Sequence, residues 1–211
     1  MAQLVDDSIR NYTTKLASGA PAPGGGSAAA YTGAIGVSLT CMVGSLTEGR
    51  AKYAEYADFI TGLLEQAHKT LNEFLVLVDE DVVVFNAMSA AYKMPKESAA
   101  EKALRTEAIQ AALKDCTITP FKIMELCVRS LRLTAEAIGK TNVNVVSDLG
   151  VAALCLKAAV QGAWLNILIN LNSLRDAGFA AEYREKGEGV LNEAMEAADD
   201  IYESVRRQLC S

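Results

Sequence analysis

The chain is short of the residues that metal, redox and nucleophile chemistry most often use. Its 211 residues include one histidine, His68, and five cysteines, Cys41, Cys116, Cys127, Cys155 and Cys210, with no CxxC pair. Zinc sites draw on such ligands at close spacing, so no metal centre is expected. A Ser-His-Asp triad would have to use His68, and nothing near it resembles a nucleophile elbow. Four of the cysteines lie in apolar, helix-like stretches, and their odd number and wide spacing read as buried thiols of a reducing compartment, the cytoplasm. Aromatic residues are only 6% of a chain that is 51% hydrophobic. Alanine and other small side chains therefore fill much of the interior, which lets helix axes approach closely and favours packed helices over a sheet sandwich. Cationic excess is lacking too. The formal charge of -6 speaks against nucleic acid, whose phosphates need a basic surface, but a local basic cluster can still receive an anionic small molecule.

Neither a leader nor a membrane span is expected. Met1 to Arg10 carries Asp6 and Asp7 and has no apolar core. Ser27 to Leu46 runs twenty residues without a charge, about the length a bilayer requires. It also holds Ser27, Thr32, Gly33, Gly36, Ser38, Thr40, Gly44 and Ser45, and a lone span without a positive flank is atypical. A buried helix is the better reading.

Six helical regions and no strand are expected, forming one domain over residues 1–211. An amphipathic opener, 3–17, turns Leu4, Ile9, Tyr12 and Leu16 inward. Residues 18–26, SGAPAPGGG, form a loop that proline stiffens and glycine frees. The helix 27–46 has rows of small residues, Ala29, Gly33 and Val37, then Gly36, Thr40 and Gly44. Glycine inside a helix costs about 1 kcal/mol relative to alanine, so this repetition implies that another backbone comes very close. A long helix, 51–92, stops near Pro95. Ser98 and Glu101 offer a capping box for the helix 98–137, in which Pro120 predicts a kink or break after about residue 117. Asn142 or Asn144 caps an apolar helix, 145–172, and Gly178 precedes the last, 179–209.

Within the 51–92 helix, alternate steps of four and three select Ile60, Leu64, Ala67, Leu71, Phe74, Val78, Asp81, Phe85, Met88 and Tyr92, a seam of the kind a helix offers a partner. Asp81 is the one carboxylate in it. Burial should raise its pKa unless a partner offsets this, so it is either half of a structural pair with a lysine, an arginine or a helix N-terminus, or an acid/base group beside a ligand. In the 145–172 helix, Asp148, Ala152, Cys155, Ala159, Gly162 and Asn166 share a stripe of small and polar residues. It reads as a wall against which something other than a large side chain fits, although an acid in the first turn also complements the helix dipole. Pro23-Gly24-Gly25-Gly26-Ser27, running into a helix, is either an anion cradle or a plain hinge, and is neither a Walker A loop nor a Rossmann fingerprint. Arg50 and Lys52, and Lys93 and Lys96 around Pro95, are either solvated helix ends or receptors for the carboxylates of an acidic ligand tail.

Three separated motifs then stand in order: Ala22-Pro23-Gly24-Gly25-Gly26-Ser27-Ala28-Ala29-Ala30; Asp79-x-Asp81-x-x-x-Phe85 closing on Met94-Pro95-Lys96; and Asn142-Val143-Asn144-Val145-Val146-Ser147-Asp148-Leu149-Gly150-Val151-Ala152-Ala153. Together they resemble the cyclodeaminase/cyclohydrolase family, over about residues 5 to 205. The resemblance implies an all-α bundle of long helices, a homodimer as minimal unit, a tetrahydrofolate derivative as substrate, and no metal or redox cofactor. One branch adds water to 5,10-methenyltetrahydrofolate to give 10-formyltetrahydrofolate. The other expels ammonia from 5-formiminotetrahydrofolate as the ring closes. A free-standing chain of this length looks more like the cyclohydrolase. By motif position, Asp148 is expected to be the principal acid/base and Asp81 its partner or an anchor for the pterin ring, the two facing one hollow. Ser147 and Asn144 would orient the substrate, residues 24–27 would line the pocket, and Arg50 and Lys52 would meet the glutamate tail. The competing readings are the cyclodeaminase and a non-catalytic helical dimer whose buried acids only set register.

Overall fold

The computed structural model describes residues 4–210. These form six α-helices and no strand. They are α1 (Ile9–Leu16), α2 (Gly25–Ser45), α3 (Ala57–Tyr92), α4 (Ala99–Ala137), α5 (Val146–Leu171) and α6 (Ala177–Cys210). Short 3-10 turns cover Leu4–Asp6, Ala51–Tyr56 and Val143–Val145. Helices α2, α3, α4 and α5 make a four-cornered bundle, and α6 lies along α5 and α4.

Side-chain size sets how these helices meet. A Cβ on Gly36 would lie 2.8 Å from Leu156 Cγ and 3.1 Å from the Ala152 carbonyl, and one on Gly162 would lie 3.4 Å from Ala29 Cβ. The small-residue stripe of α5 therefore faces the small-residue face of α2, and the two run antiparallel. What fits against the α5 wall is α2 itself. Close approach is confirmed, but backbone meets backbone only at Gly36; Gly33 and Gly44 make room for the side chains of Phe74 and Leu64. One main core joins residues of every helix, with Phe74, Ile123, Met124, Leu131, Leu149, Leu156, Ile167 and Ile201 among its fully buried side chains.

Several local expectations need correction. The opener is not one helix over 3–17 but a turn followed by α1, and only Tyr12 of its seam is buried; Ile9 and Leu16 point outward. Gly25 and Gly26 are not loop but the first residues of α2. The 51–92 region opens as a 3-10 turn before α3 begins. Ser98 caps α4 through the full capping box with Glu101, as its spacing predicted. Asn142 rather than Asn144 caps the turn before α5, its side chain accepting from the Asn144 N–H at 3.1 Å. The last helix starts before Gly178, with the Asp176 carboxylate accepting from the Phe179 N–H.

The break expected at Pro120 does not occur: α4 continues through it to Ala137. A helical residue normally donates its N–H to the carbonyl four residues back, which proline cannot do. The carbonyl left over belongs to Cys116. It accepts instead from Asn170 Nδ2 of α5, at 2.7 Å. A tertiary contact thus supplies the bond the helix lost.

Candidate active site

Asp81 lies where α3 passes the N-terminus of α2. Its Oδ2 accepts from the Ser27 N–H at 2.8 Å. That N–H belongs to the first turn of α2, whose leading amides have no partner within the helix. Gly26 makes the approach possible: a Cβ there would sit 2.6 Å from Asp81 Cγ and 2.9 Å from Oδ2, inside contact distance of the whole carboxyl group. Burial raises the Asp81 pKa above the ordinary carboxylate value, and the Ser27 hydrogen bond opposes this without cancelling it. No cation is paired with Asp81 among the described salt bridges. The structural partner open to this buried acid is thus a helix N-terminus and not a lysine or arginine, and it leaves an acid/base role open.

The carboxyl opens on a cavity of about 140 Å³. Pro21, Ala22, Gly24, Gly25 and Gly26 line one side, Val84, Phe85 and Met88 of α3 another, and Cys116, Asn166 and Asn170 the floor. Asn166 Nδ2 donates to the Gly162 carbonyl at 2.8 Å, and Asn170 Nδ2 to the Asn166 carbonyl at 2.9 Å as well as to Cys116. The Cys116 thiol is pushed up to about 12, by burial first and then by the negative charge of Asp81. It is not a nucleophile at neutral pH. Ser27 is fully buried, its hydroxyl sharing a 3.1 Å hydrogen bond with Tyr12 OH. Pro23 is buried behind the lining residues and joined to Ala22 by a cis peptide bond.

The other expected residues are elsewhere. Asp148 is half-buried in the first turn of α5, whereas Asn166, its stripe-mate beside Gly25, lies eighteen residues further along the same helix. At 1.5 Å per residue that is about 27 Å. The antiparallel course of α2 and α5 puts the Asp81 cavity at one end of the bundle and Asp148 at the other, so within one protomer the two acids share no hollow. Asn144 and Ser147 are exposed at the Asp148 end. Arg50 precedes the 3-10 turn there and Lys52 lies within it, beside Tyr53, Thr141 and Val146. The end that holds Asp81 carries Lys93 and Lys96 instead, both exposed beyond the C-terminus of α3.

A larger groove of about 830 Å³ runs between α3 and α4. Of its three cations, Lys122 pairs with Glu80 at 2.7 Å and Arg129 with Glu73, while Lys69 is in none of the described salt bridges. Among the described residues no group of three His, Cys, Asp or Glu side chains is arranged to hold a metal ion. The smaller cavity sets a carboxyl with no cation in the described salt bridges beside helix-terminal amides and an apolar wall, which suits it to proton transfer.

The family model for formiminotransferase-cyclodeaminase matches residues 8–189. The chain belongs to this family. The methenyltetrahydrofolate cyclohydrolase of Methylorubrum extorquens is 38% identical over 204 residues, which span 97% of this chain and 98% of that protein. The formimidoyltransferase-cyclodeaminase of Rattus norvegicus is 34% identical over 195 residues, 92% of this chain but 36% of the rat protein. Among solved structures, the formiminotetrahydrofolate cyclodeaminase of Thermotoga maritima superposes with a TM-score of 0.80 at 24% identity, covering 97% of this chain and 96% of that one. That likeness establishes the family's helical fold.

Sequence reasoning singled out Asp81, the glycine segment and Asn166, which border one cavity, and missed Asn170. Asn170 had a signal: it follows Asn166 by four residues on one helix face, and Pro120 announces a carbonyl in need of a donor.

Proposed function

We propose that this chain is a methenyltetrahydrofolate cyclohydrolase, with Asp81 as its acid/base. The observation that carries this reading is the 38% identity to the Methylorubrum cyclohydrolase, against 34% to the rat formimidoyltransferase-cyclodeaminase. The cavity suits the chemistry. The carbon bridging N5 and N10 is electrophilic, and its hydrolysis needs a base for water. A carboxyl held in a partly apolar recess has a proton affinity closer to neutrality than an ordinary one, which suits proton transfer in both directions.

In the forward step the water oxygen bonds to the bridge carbon while Asp81 accepts a water proton. The adduct collapses by cleavage of the carbon–N5 bond, N5 taking the proton from Asp81 as the adduct hydroxyl loses its own to solvent. The formyl group stays on N10 and one proton is released overall. Val84, Phe85 and Met88 offer an apolar wall for the ring system. Lys93 and Lys96, just beyond the C-terminus of α3, lie at the Asp81 end of the bundle and would receive the glutamate tail in place of Arg50 and Lys52. No metal or redox group is needed for this sequence of bonds.

The folate is the small-molecule partner, and a second copy of the chain is the macromolecular one. The outer faces of α2 and α5 lie side by side and are largely apolar; Ile35 and Met42 of α2, Leu46 just after it, and Val151, Leu154, Leu165 and Ile169 of α5 are 37–68% exposed. An apolar face that large on a soluble protein marks an interface, and a homodimer would cover it. The same two helices are apolar and long enough to pass as membrane spans by composition, but their other faces form the core. Five free thiols, three of them buried, fit the reducing cytoplasm.

The test is to follow the near-ultraviolet absorbance of 5,10-methenyltetrahydrofolate with the purified protein. Acceleration over buffer that disappears in Asp81→Asn supports the proposal. No acceleration, together with ammonia released from 5-formiminotetrahydrofolate, would assign the cyclodeaminase reaction instead.

A further inference from the structure

The Asp81 cavity, at about 140 Å³, is smaller than the roughly 300–1,000 Å³ of pockets that enclose small-molecule ligands. A folate ring system entering it must displace a wall. Most of the wall is held in place. Val84, Phe85 and Met88 belong to α3, Cys116, Asn166 and Asn170 are tied together by the hydrogen bonds of Asn170, and Gly26 packs on the Asp81 carboxyl. That leaves Pro21, Ala22 and Gly24, at the end of the segment that carries the chain from α1 to α2.

This segment is thinly attached. From Ser8 to Pro21 every residue but Tyr12 is exposed, and only Pro23, at the junction with α2, is buried after it. Tyr12 OH shares its 3.1 Å hydrogen bond with Ser27 Oγ, and the Tyr12 ring lies 5.2 Å from that of Tyr31. Every other described hydrogen bond of residues 8–23 is made within the segment or to neighbouring Asp7. Both ends are tethered. At the start the Leu4 N–H donates to Asp79 Oδ1 at 2.6 Å, and Leu4 and Val5 pack on the core; at the other end the chain enters α2.

We propose that residues 8–22 form a strap that closes the Asp81 cavity in the free protein and lifts to admit a folate, with the Tyr12–Ser27 hydrogen bond as its latch. This rests on the cyclohydrolase reading for the identity of the ligand. Ser27 stays with α2 and keeps its N–H on Asp81, so the acid holds its position while the strap moves. Only the lifted form takes the ligand, so the apparent affinity is the intrinsic one reduced by the lifted fraction. Weakening the latch therefore tightens binding.

Tyr12→Phe removes the latch and keeps the ring against Tyr31. The Kd of tetrahydrofolate, measured by equilibrium dialysis, should fall about fivefold in this variant, the size of one neutral hydrogen bond. Trypsin should cleave after Arg10 and Lys15, both exposed on the strap, about fivefold faster for the same reason. In the wild type, saturating tetrahydrofolate should speed these two cleavages, the reverse of the usual protection by a ligand. A Tyr12 that serves packing alone would leave Kd unchanged or raise it, and a folate bound beneath a strap that stays shut would slow the cleavages; either result overturns the proposal. Hydrolysis of 5,10-methenyltetrahydrofolate without folate-stimulated cleavage removes the strap and leaves the cyclohydrolase reading standing. Folate-stimulated cleavage without hydrolysis does the opposite.

Discussion

Replacing Gly26 by alanine puts a methyl group where the Asp81 carboxyl already is. The new Cβ would lie 2.6 Å from Cγ and 2.9 Å from Oδ2, and closer still to Oδ1. Ordinary carbon–oxygen contact begins near 3.4 Å, so the carboxyl or the start of α2 must shift by about 1 Å, and misplacement on this scale costs on the order of 10²-fold in rate. Asp81 has little freedom to yield, being a short side chain pinned by the Ser27 N–H at 2.8 Å. Overpacking costs about 1–3 kcal/mol, partly offset by the better helix propensity of alanine, about 1 kcal/mol. The net loss should lower the melting temperature by only a few degrees, about 2–4 °C per kcal/mol at this length. The assay pairs initial rates of methenyltetrahydrofolate hydrolysis with a thermal melt. Gly62→Ala in α3 serves as control, because its Cβ would meet nothing within 4 Å. If Gly26→Ala keeps its rate within about twofold of the wild type, well short of the loss expected from displacing a positioned group, the packing of Asp81 on the glycine turn is not what sets up catalysis.

Asp81→Asn should lower kcat by about 10²–10⁴-fold and yet raise thermal stability at neutral pH. A carboxyl whose folded pKa is raised favours the native state below its unfolded pKa and loses that contribution as pH rises through the folded value. The stability gain of the variant should therefore shrink as pH falls, which melts across the acidic range would show. Asp148→Asn should leave kcat/KM within about threefold, because a charge some 27 Å away lies beyond the screening length; a larger loss would place the acid in the partner subunit's site. Leu165→Glu, at an outer position of α5 that is 66% exposed, should convert a dimer to a monomer by light scattering, and a variant that stays dimeric would move the interface elsewhere.

Local chemistry made much of this architecture legible. The Ser98–Glu101 spacing fixed where α4 begins, and the seam through Ile60, Phe74 and Val78 is the buried face of α3. The small-residue rows of α2 and α5 do meet. What spacing along a helix cannot convey is direction: Asp81 and Asp148 each sit on an inward stripe, but antiparallel packing carries them to opposite ends. Pro120 shows the same limit, since its freed carbonyl is satisfied by Asn170, 50 residues further along the chain. Helix identity is local, whereas the pairing of its ends is tertiary.

The pH dependence of kcat/KM, measured for the wild type and Asp81→Asn on 5,10-methenyltetrahydrofolate, tests the central claim most directly. The wild type should show an acidic limb whose midpoint lies above the ordinary carboxylate range, and the variant's residual rate should lack it. A limb that persists unchanged in Asp81→Asn would assign the titrating group, and the chemistry, to another residue.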